Sequence, residues 1–205
     1  KEKYRNVNVK GTENIFKLAK EFGKKVVYAS SSSIYGNTTT IPIQENFEKN
    51  PINPYGITKL DDEKLAKKFH DLGLSVIGLR YFNVYGIGQT NDYAGVITKF
   101  TDQINLNKSP IIFGDGTHTR DFISVEDIAK ANLLSMESKS DFSFLNIGTG
   151  ISTSIKELAE IMIELSGKKM EISYDDLPLG DVKDSLADVS LAKTLINWNY
   201  ETSLK

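Results

Sequence analysis

Tyr55 and Lys59 are the two residues of this sequence whose types and spacing best fit proton chemistry. Four residues apart on a helix, their side chains lie on the same face, one turn apart. An ammonium group beside a phenol favours the phenolate and lowers the Tyr pKa toward neutrality. Such a Tyr can remove the proton of an alcohol while a hydride leaves the same carbon. Roughly one such pair is expected by chance in a chain of this composition, so an ordinary exposed helix start is the alternative.

Ser31 is the candidate partner of Tyr55, within a run of four serines that follows the apolar segment 26–29. The segment shows no polar alternation, which is typical of a strand buried on both faces of a sheet. Open α/β sheets bind their ligands at the carboxyl ends of the strands, where these serines are expected. A hydroxyl there could share a hydrogen bond to the substrate with Tyr55. A solvated loop of serines is the alternative.

Arg120 is one of only three Arg residues and follows a Gly-rich turn. A guanidinium group binds phosphate through two parallel hydrogen bonds, so Arg120 is a candidate phosphate ligand. A structural ion pair with Asp121 or Asp127 is the alternative, and we interpret the nearby His118 as a loop residue, or one that lies behind the site residues, rather than a base. None of the three glycine pairs completes a Gly-x-Gly-x-x-Gly phosphate loop, and we interpret them as turns. These pairs are Gly86/Gly88, Gly114/Gly116 and Gly148/Gly150.

The elements that must position these residues alternate between helix and strand. Apolar residues at helical spacing predict a helix over 6–22, and the pair Asn53-Pro54 predicts the start of another helix, over 55–70. The apolar face of the first helix consists of Val7, Gly11, Ile15, Leu18 and Phe22. Apolar runs predict strands at 26–30, 74–79 and 142–147. This order, with short connections, is typical of a parallel α/β sheet.

The composition excludes several classes of protein. With 205 residues, a net charge of −2 and 40% hydrophobic residues, the chain resembles an ordinary globular protein rather than a nucleic-acid or acidic-membrane binder. The absence of Cys excludes disulfides and thiolate chemistry, and with two His we expect no metal site. No apolar run approaches the roughly 20 residues that span a bilayer, and no signal peptide is recognisable. We therefore expect a cytoplasmic protein without membrane partners.

Several short motifs occur along the chain in one order. They are Asn8-Val9-Lys10-Gly11-Thr12, Ser30-Ser31-Ser32-Ser33-Ile34-Tyr35-Gly36, Pro54-Tyr55-Gly56-Ile57-Thr58-Lys59, Leu79-Arg80-Tyr81-Phe82-Asn83, Gly114-Asp115-Gly116, Arg120-Asp121-Phe122-Ile123, Asn146-Ile147-Gly148-Thr149-Gly150 and Gly180-Asp181. In this combination the sequence resembles the extended short-chain dehydrogenase/reductase family. Within the family it is similar to the nucleotide-sugar 4-epimerases of the UDP-glucose 4-epimerase type, from about residue 7 to residue 198.

The resemblance implies a role for each matching residue. Tyr55 is the implied catalytic base, Lys59 the residue that binds the nicotinamide ribose and tunes that base, and Ser31 the hydrogen-bond partner of the reacting sugar hydroxyl. The implied cofactor is NAD, whose site also includes Ser30, Tyr81 and Phe82. The implied substrate contacts are Ser32, Ser33, Asn83, Arg120, Asp181 and Ser185, with Asn83 and Arg120 on the diphosphate and Asp181 on the nucleoside ribose. The implied reaction oxidises the sugar at C4, rotates the transient 4-keto sugar and returns the hydride to its other face.

Two positions bear on the branch of the family. Its dehydratases carry Asp-Glu after the catalytic Ser/Thr, because elimination needs an acid and a base, whereas this chain has Ser32 and Ser33. This favours epimerisation or reduction. Ser185 stands where epimerases restricted to glucose and galactose often have Tyr, which leaves room for a UDP-N-acetylhexosamine. A nucleotide-sugar reductase or another epimerase of the family is one alternative, and a catalytically silent chain that dimerises or binds sugar nucleotide is another.

The resemblance also implies a domain organisation. It predicts a Rossmann-like NAD-binding domain over 1–82 and 120–149, and a smaller α/β substrate lobe over 83–119 and 150–205. Family members begin with a βαβ unit that carries the Gly-rich pyrophosphate loop, which is not found in this sequence. We therefore expect the chain to be the C-terminal two thirds of a larger protein. The resemblance further implies a homodimer through the helices 6–22 and 55–70.

Overall fold

The structure is a computed structural model that describes residues 2–89, 95–176 and 182–204. Three helical segments follow one another at the start: Glu2–Tyr4, a π-helical segment Arg5–Lys10, and α1 over Gly11–Glu21. The later helices are α2 Pro54–Asp71, α3 Val96–Asn105, α4 Val125–Glu137, α5 Ile155–Ser166 and α6 Ser190–Ile196. The strands are β1 Val26–Ser31, β2 Val76–Tyr81, β3 Asn83–Tyr85, β4 Ile111–Phe113, β5 Thr119–Arg120, β6 Phe122–Ser124, β7 Phe142–Ile147, β8 Thr153–Ser154 and β9 Ser173–Asp175.

The central sheet is parallel, with the strand order β1-β2-β7. One face packs against α1 and α2 through residues such as Phe16 and Phe69, and the other packs against α4 and α6 through residues such as Ile128 and Ile196. Burial on both faces explains why the strands are apolar throughout. The structure confirms the predicted Rossmann-like parallel sheet, although β2 begins two residues later than expected.

The start of α2 is fixed close to the end of β1. Asn53 caps the helix, since its side-chain oxygen accepts a hydrogen bond from the N–H of Gly56 at 2.8 Å. Pro54 occupies the first turn, where its missing N–H has no helical partner to lose. A Cβ atom on Gly56 would lie 2.6 Å from the carbonyl oxygen of Ser33, so only glycine permits this approach. As a result, the first turn of α2 lies against the carboxyl end of β1.

The remaining strands form small pairs away from the central sheet. β3 pairs with β6 and β4 with β9 in parallel, while β5 and β8 are antiparallel. Their core includes Phe100 of α3, Ile112 of β4, Phe122 of β6 and Leu158 of α5. The two-residue and three-residue strands β3, β5 and β8 were not expected, because such short segments carry no periodicity. The division of the chain into two domains stays a prediction.

The apolar face predicted for the first helix is exposed rather than buried. Its side chains at Val7, Ile15, Leu18 and Phe22 are between 53% and 64% exposed. The helix packs instead through Phe16, whose ring meets Tyr28 of β1 and Phe69 of α2 edge-on, with ring centres 5.4 and 5.7 Å apart. We call the four exposed side chains the α1 stripe.

Candidate active site

Ser31 and Tyr55 lie together where β1 ends and α2 begins. Ser31 is the last residue of β1 and is nearly buried, and its hydroxyl oxygen accepts a hydrogen bond from the N–H of Ser33 at 3.2 Å. Tyr55 is the second residue of α2 and stays 37% exposed. The Ser31 hydroxyl is near enough to act on the ionisation of the Tyr55 phenol by hydrogen bonding. The structure therefore brings together two of the three predicted catalytic side chains.

Lys59, the third of them, is one turn farther along α2. Its ammonium group lies 5.8 Å from the centre of the Tyr55 ring. It donates a hydrogen bond to the carbonyl oxygen of Ala29 at 2.9 Å and forms an ion pair with Asp62, whose Oδ2 is 3.6 Å away. The three predicted side chains thus share one end of the sheet, and Asp62 joins them as a group that the sequence analysis missed.

The pKa of Tyr55 is raised in this structure, mainly by burial. The Ser31 hydroxyl opposes this effect, whereas Asp62 and Tyr4 add to it. The prediction that Lys59 brings this pKa down toward neutrality is therefore wrong for the structure described. The physical reason is that Asp62 and the Ala29 carbonyl bind the ammonium group, so most of its charge is balanced there rather than at the phenol.

A buried ion pair connects α2 to the central sheet. Nε and Nη2 of Arg80 each donate to one carboxylate oxygen of Glu63 at 2.8 Å, and the Ser30 hydroxyl donates to Glu63 at 2.7 Å. Arg80 also donates to the Tyr35 hydroxyl at 2.7 Å, which in turn donates to Asn146 at 2.7 Å. The Ser30 hydroxyl proton is thus committed to Glu63, and the predicted cofactor contact of Ser30 stays a prediction.

This ion pair was not predicted, although two features of the sequence indicate it. Arg80 is an isolated charge within an otherwise apolar strand, and a charge in that position requires a partner. Glu63 lies one turn beyond Lys59 on α2 and therefore shares its face of the helix.

Tyr81 and Phe82 follow one another at the end of β2 but contact different neighbours. The side-chain amide of Asn132, on α4, donates a hydrogen bond to the Tyr81 hydroxyl at 2.7 Å. Phe82 is buried in a cluster with Ile34 and Ile43. The Tyr81 side chain is thus held against α4, and the predicted nicotinamide contacts of both residues stay predictions.

A cavity of about 460 Å³ opens among the small strands. Asn83 and Arg120, both predicted to bind the substrate's diphosphate, line it together, and so do the rings of Phe100 and Phe113. His118 lines it as well and is only 7% exposed, with neither ring nitrogen hydrogen-bonded among the residues described. His118 precedes β5 in a loop, as expected, and from there it also lines the cavity. Its spacing of two from Arg120, which places both on one side of an extended segment, was the available signal.

Arg120 does not depend on the two carboxylates proposed as its structural partners. Asp121 accepts hydrogen bonds from the backbone N–H groups of Thr149, Gly150 and Ala187, and Asp127 accepts them from those of Glu201 and Thr202. Arg120 itself donates to the carbonyl oxygens of residues 119 and 183, at 2.8 and 3.2 Å. These backbone contacts hold the guanidinium group at the cavity.

The other predicted substrate residues lie on separate segments. Ser32 and Ser33 form a 3₁₀ turn directly after β1 and are half-buried. Ser185 is 8% exposed, and its backbone N–H donates to the carbonyl oxygen of Thr119 at 3.2 Å. Asp181 lies outside the described residues.

Neither a metal site nor a membrane-spanning helix is found within residues 2–89, 95–176 and 182–204. Within these ranges no three His, Cys, Asp or Glu side chains are grouped in a way that could hold a metal ion. Among the helices in the same ranges, none combines the length and the apolar character needed to cross a membrane.

Comparison with known proteins places these features in a family. Residues 1–148 match the model of the NAD dependent epimerase/dehydratase family. The UDP-glucuronate 4-epimerase of Thermodesulfobacterium geofontis is 39% identical over 206 residues, covering 98% of this chain and 62% of that protein.

Solved structures agree with this comparison. A UDP-N-acetylglucosamine 4-epimerase from Methanobrevibacter ruminantium, in complex with UDP-N-acetylmuramic acid, superposes with a TM-score of 0.93 at 38% identity. The superposition covers 97% of this chain and 65% of the epimerase chain. The UDP-glucuronic acid 4-epimerase of Bacillus cereus, in complex with UDP-glucuronic acid and NAD, gives a TM-score of 0.88 at 31% identity, with 96% of this chain and 63% of that one covered.

The chain therefore spans a little less than two thirds of the length of each of these proteins. The family model nevertheless covers well over half of the chain, and the resemblance to the extended short-chain dehydrogenases/reductases is confirmed. The motifs, the parallel sheet and the comparisons lead to one conclusion: the chain belongs to the NAD dependent epimerase/dehydratase family.

Proposed function

We propose that this chain provides the catalytic side chains and the substrate lobe of an NAD-dependent 4-epimerase that acts on a UDP-sugar. The observation that carries the proposal is the arrangement of Ser31, Tyr55 and Lys59 at the carboxyl end of β1. The cavity that contains Asn83 and Arg120 supports it, because it offers an amide and a guanidinium group to a diphosphate. The relatives support it through their names, which are those of UDP-sugar 4-epimerases.

The residues at the end of β1 fit the nicotinamide end of NAD. A cavity of about 650 Å³ adjoins Tyr55 and is lined also by Lys3, Tyr4, Val7 and Asn8. Ala29 is exposed on β1, and its carbonyl oxygen accepts a hydrogen bond from the Lys59 ammonium group. The positive charge of Lys59 therefore lies at this edge of the sheet. Tyr55 and Lys59 would hold the ribose next to the nicotinamide. Bound NAD supplies the acceptor and donor of the hydride at the sugar carbon.

Tyr55 takes the proton of the sugar hydroxyl and later returns it. Ser31 donates a hydrogen bond to the same sugar oxygen and so fixes its distance from the phenol. An epimerase needs one residue that takes the proton and later returns it. This requires a group whose pKa lies near the working pH. Since burial raises the pKa of Tyr55, the positive charge of Lys59 is needed to stabilise the phenolate.

The substrate class follows from the residues of the lobe. Arg120 and Asn83 would bind the diphosphate, and Phe100 and Phe113 offer apolar walls to the nucleoside. Neither Ser32 nor Ser33 supplies the carboxylate that elimination of water requires, which favours epimerisation. Ser185, small and nearly buried, favours a sugar with an N-acetyl group. Since the chain contains no Cys, we propose that the enzyme works in the reducing cytoplasm.

The proposal is tested by incubating the full-length gene product with UDP-N-acetylglucosamine, UDP-glucose or UDP-glucuronate, without added cofactor. We expect the 4-epimer of at least one of them, with the N-acetylated sugar turned over fastest, as measured by NMR of the products. Turnover that requires added NADPH would instead identify a reductase. Binding of UDP-sugar with no turnover under either condition would identify a silent binding protein.

Arg120→Ala is expected to weaken the binding of UDP by about 10- to 100-fold, because a charge-assisted hydrogen bond to phosphate contributes roughly 1.5 to 3 kcal/mol. The affinity for uridine, which has no phosphate, should stay the same. Isothermal titration calorimetry of the full-length gene product measures both. Lys156→Ala, which removes an exposed cation from α5, serves as the control. An equal loss for UDP and uridine would place Arg120 outside the diphosphate site.

The α1 stripe supports a homodimer as the proposed assembly. Ile15 and Leu18 on α1 and Phe22 directly after it are more than half exposed, and Ile57 is 47% exposed on α2. A second copy of the same face would bury these apolar side chains symmetrically.

Leu18→Arg is expected to shift the full-length gene product from dimer to monomer in light scattering after size exclusion. The reason is that two symmetry-related cations would lie within one apolar interface. Leu133→Arg is the matched control, because Leu133 is similarly exposed, at 59%, but lies on α4 beyond the opposite face of the sheet. A dimer that survives Leu18→Arg would rule out this face.

A further inference from the structure

Asp62 is a fully buried acidic residue within the catalytic helix. Its side chain is 0% exposed, and among the residues described neither carboxylate oxygen accepts a hydrogen bond. The nearest cation is Lys59, three residues earlier on α2, with 3.6 Å between Nζ and Oδ2. An isolated carboxylate in an apolar environment is strongly unfavourable, so this ion pair must provide most of the compensation.

The other charged and titratable groups around Asp62 do not offer it a cation. Glu63 follows it on α2 and is held by Arg80, while Asp61 precedes it and pairs with Arg5 and Lys64 near the surface. From β1, Tyr28 faces it with a buried hydroxyl that has no hydrogen-bond partner among the residues described. Tyr55, on the same helix, is also within reach of its charge. Lys59 is therefore the counter-ion of Asp62.

This pairing affects how Lys59 acts on Tyr55. The ammonium group is divided between Asp62, the Ala29 carbonyl and the Tyr55 ring, at 3.6, 2.9 and 5.8 Å. We propose that Asp62 is a positioning residue that holds Lys59 away from Tyr55 and so sets the pH at which Tyr55 becomes a base. The proposal rests on the proposed function only in assigning Tyr55 the role of base. The contacts themselves do not depend on it.

Asp62→Asn is the variant that tests this, since it removes the charge while nearly preserving the shape of the side chain. We expect the pKa of Tyr55 to fall by about 0.5 to 1 unit, because a nearby negative charge disappears and Lys59 is released toward the phenol. The pKa is measured from the ultraviolet absorbance of the phenolate in the full-length gene product. The signal of Tyr55 is isolated by subtracting the titration of a Tyr55→Phe protein in each background.

Asp61→Asn is the matched control. It removes the same charge from the neighbouring position of the same helix, where the carboxylate is 23% exposed and paired on the surface. We expect it to leave the pKa of Tyr55 unchanged. If Asp62→Asn and Asp61→Asn have the same effect on Tyr55, or if neither has any, the proposal is wrong. If Asp62→Asn does not yield folded protein, Asp62→Ala gives the same test.

The rate of the reaction provides the second readout. The acidic limb of the pH profile of kcat should move to lower pH by the same amount in Asp62→Asn, so that the variant exceeds the wild type about 3- to 10-fold on that limb. A lower pKa of Tyr55 without any epimerase activity would support the positioning role and refute the proposed function. Normal epimerase activity with an unshifted pH profile would support the proposed function and refute the positioning role.

Stability at different pH values tests the buried charge itself. Burial raises the pKa of Asp62 to about 6, while the Lys59 charge opposes the shift. The carboxyl group therefore stabilises the fold at low pH, where it is neutral, and this contribution is lost as the pH rises through about 6. Asp62→Asn has no such loss, so the Tm of the variant should rise relative to that of the wild type between about pH 4 and about pH 6, and the difference should stay constant above about pH 7. Parallel Tm curves would show that Asp62 is not buried as a charge.

Discussion

Tyr55→Phe is expected to lower the rate of UDP-sugar epimerisation roughly 10²- to 10⁴-fold, the contribution typical of a positioned acid–base group. The substitution removes only the hydroxyl that we propose as the group that accepts and returns the sugar proton. Tyr55 is 37% exposed at the first turn of a capped helix, so losing the hydroxyl leaves no buried polar group unpaired there. The loss should therefore fall on kcat, with the affinity for UDP-sugar almost unchanged.

Single-turnover kinetics and calorimetry on the full-length gene product separate the two effects. Tyr200→Phe is the control, since it also removes one phenol hydroxyl but at the core cluster on the far side of the central sheet. Full activity in Tyr55→Phe would remove this residue from the mechanism. A parallel loss of rate and affinity would identify a binding role instead of proton transfer.

The sequence predicted those features that leave a strong local pattern. The three strands of the central sheet are buried on both faces and are therefore apolar throughout, and α2 begins at an Asn-Pro pair with its own chemistry. Tyr55 and Lys59 were predicted from their residue types and their spacing of four, and Ser31 from its position at the end of a strand. The structure does bring them to one place.

What the sequence could not predict depends on contacts between distant segments. The Lys59 ammonium group is shared between Asp62 and the groups near Tyr55 only because Asp62 is buried beside it. Nothing in the local sequence pattern shows that burial. The α1 stripe has the periodicity of a core face, yet periodicity does not distinguish a core from an assembly surface. His118 lies in a loop as expected, but its burial at the cavity depends on segments distant in sequence, such as Asn83 and Ile155.

Loss of the buried Arg80–Glu63 pair has the second large expected effect, this time on folding. Both side chains are at most 5% exposed and share two hydrogen bonds of 2.8 Å. Arg80→Met leaves the Glu63 carboxylate buried with the Ser30 hydroxyl as its remaining partner, and it also leaves the Tyr35 hydroxyl without its donor. We expect it to lower the free energy of unfolding by about 3 to 5 kcal/mol.

Exposed pairs on the same helix behave differently. Lys67 and Asp71 lie 3.2 Å apart but are more than half exposed, so Lys67→Met should cost less than about 1 kcal/mol. Urea denaturation of the full-length gene product measures both variants on one scale. If Arg80→Met lowers the free energy of unfolding no more than Lys67→Met does, the buried pair does not hold α2 to the sheet.

The double variant Arg80→Met/Glu63→Met separates the value of the pair from the penalty of breaking it. Since it removes both charges together, no carboxylate is left buried alone, and we expect it to be more stable than Arg80→Met. The remaining loss then reflects the contacts of the guanidinium group with Tyr35 and Phe144, whose ring centres lie 5.2 and 5.1 Å from it. A double variant that is less stable than Arg80→Met would mean that Glu63 anchors the helix mainly through Ser30. In that case the catalytic helix would be fixed at the same strand end that carries Ser31, and the geometry of the site would depend on β1 more than on β2.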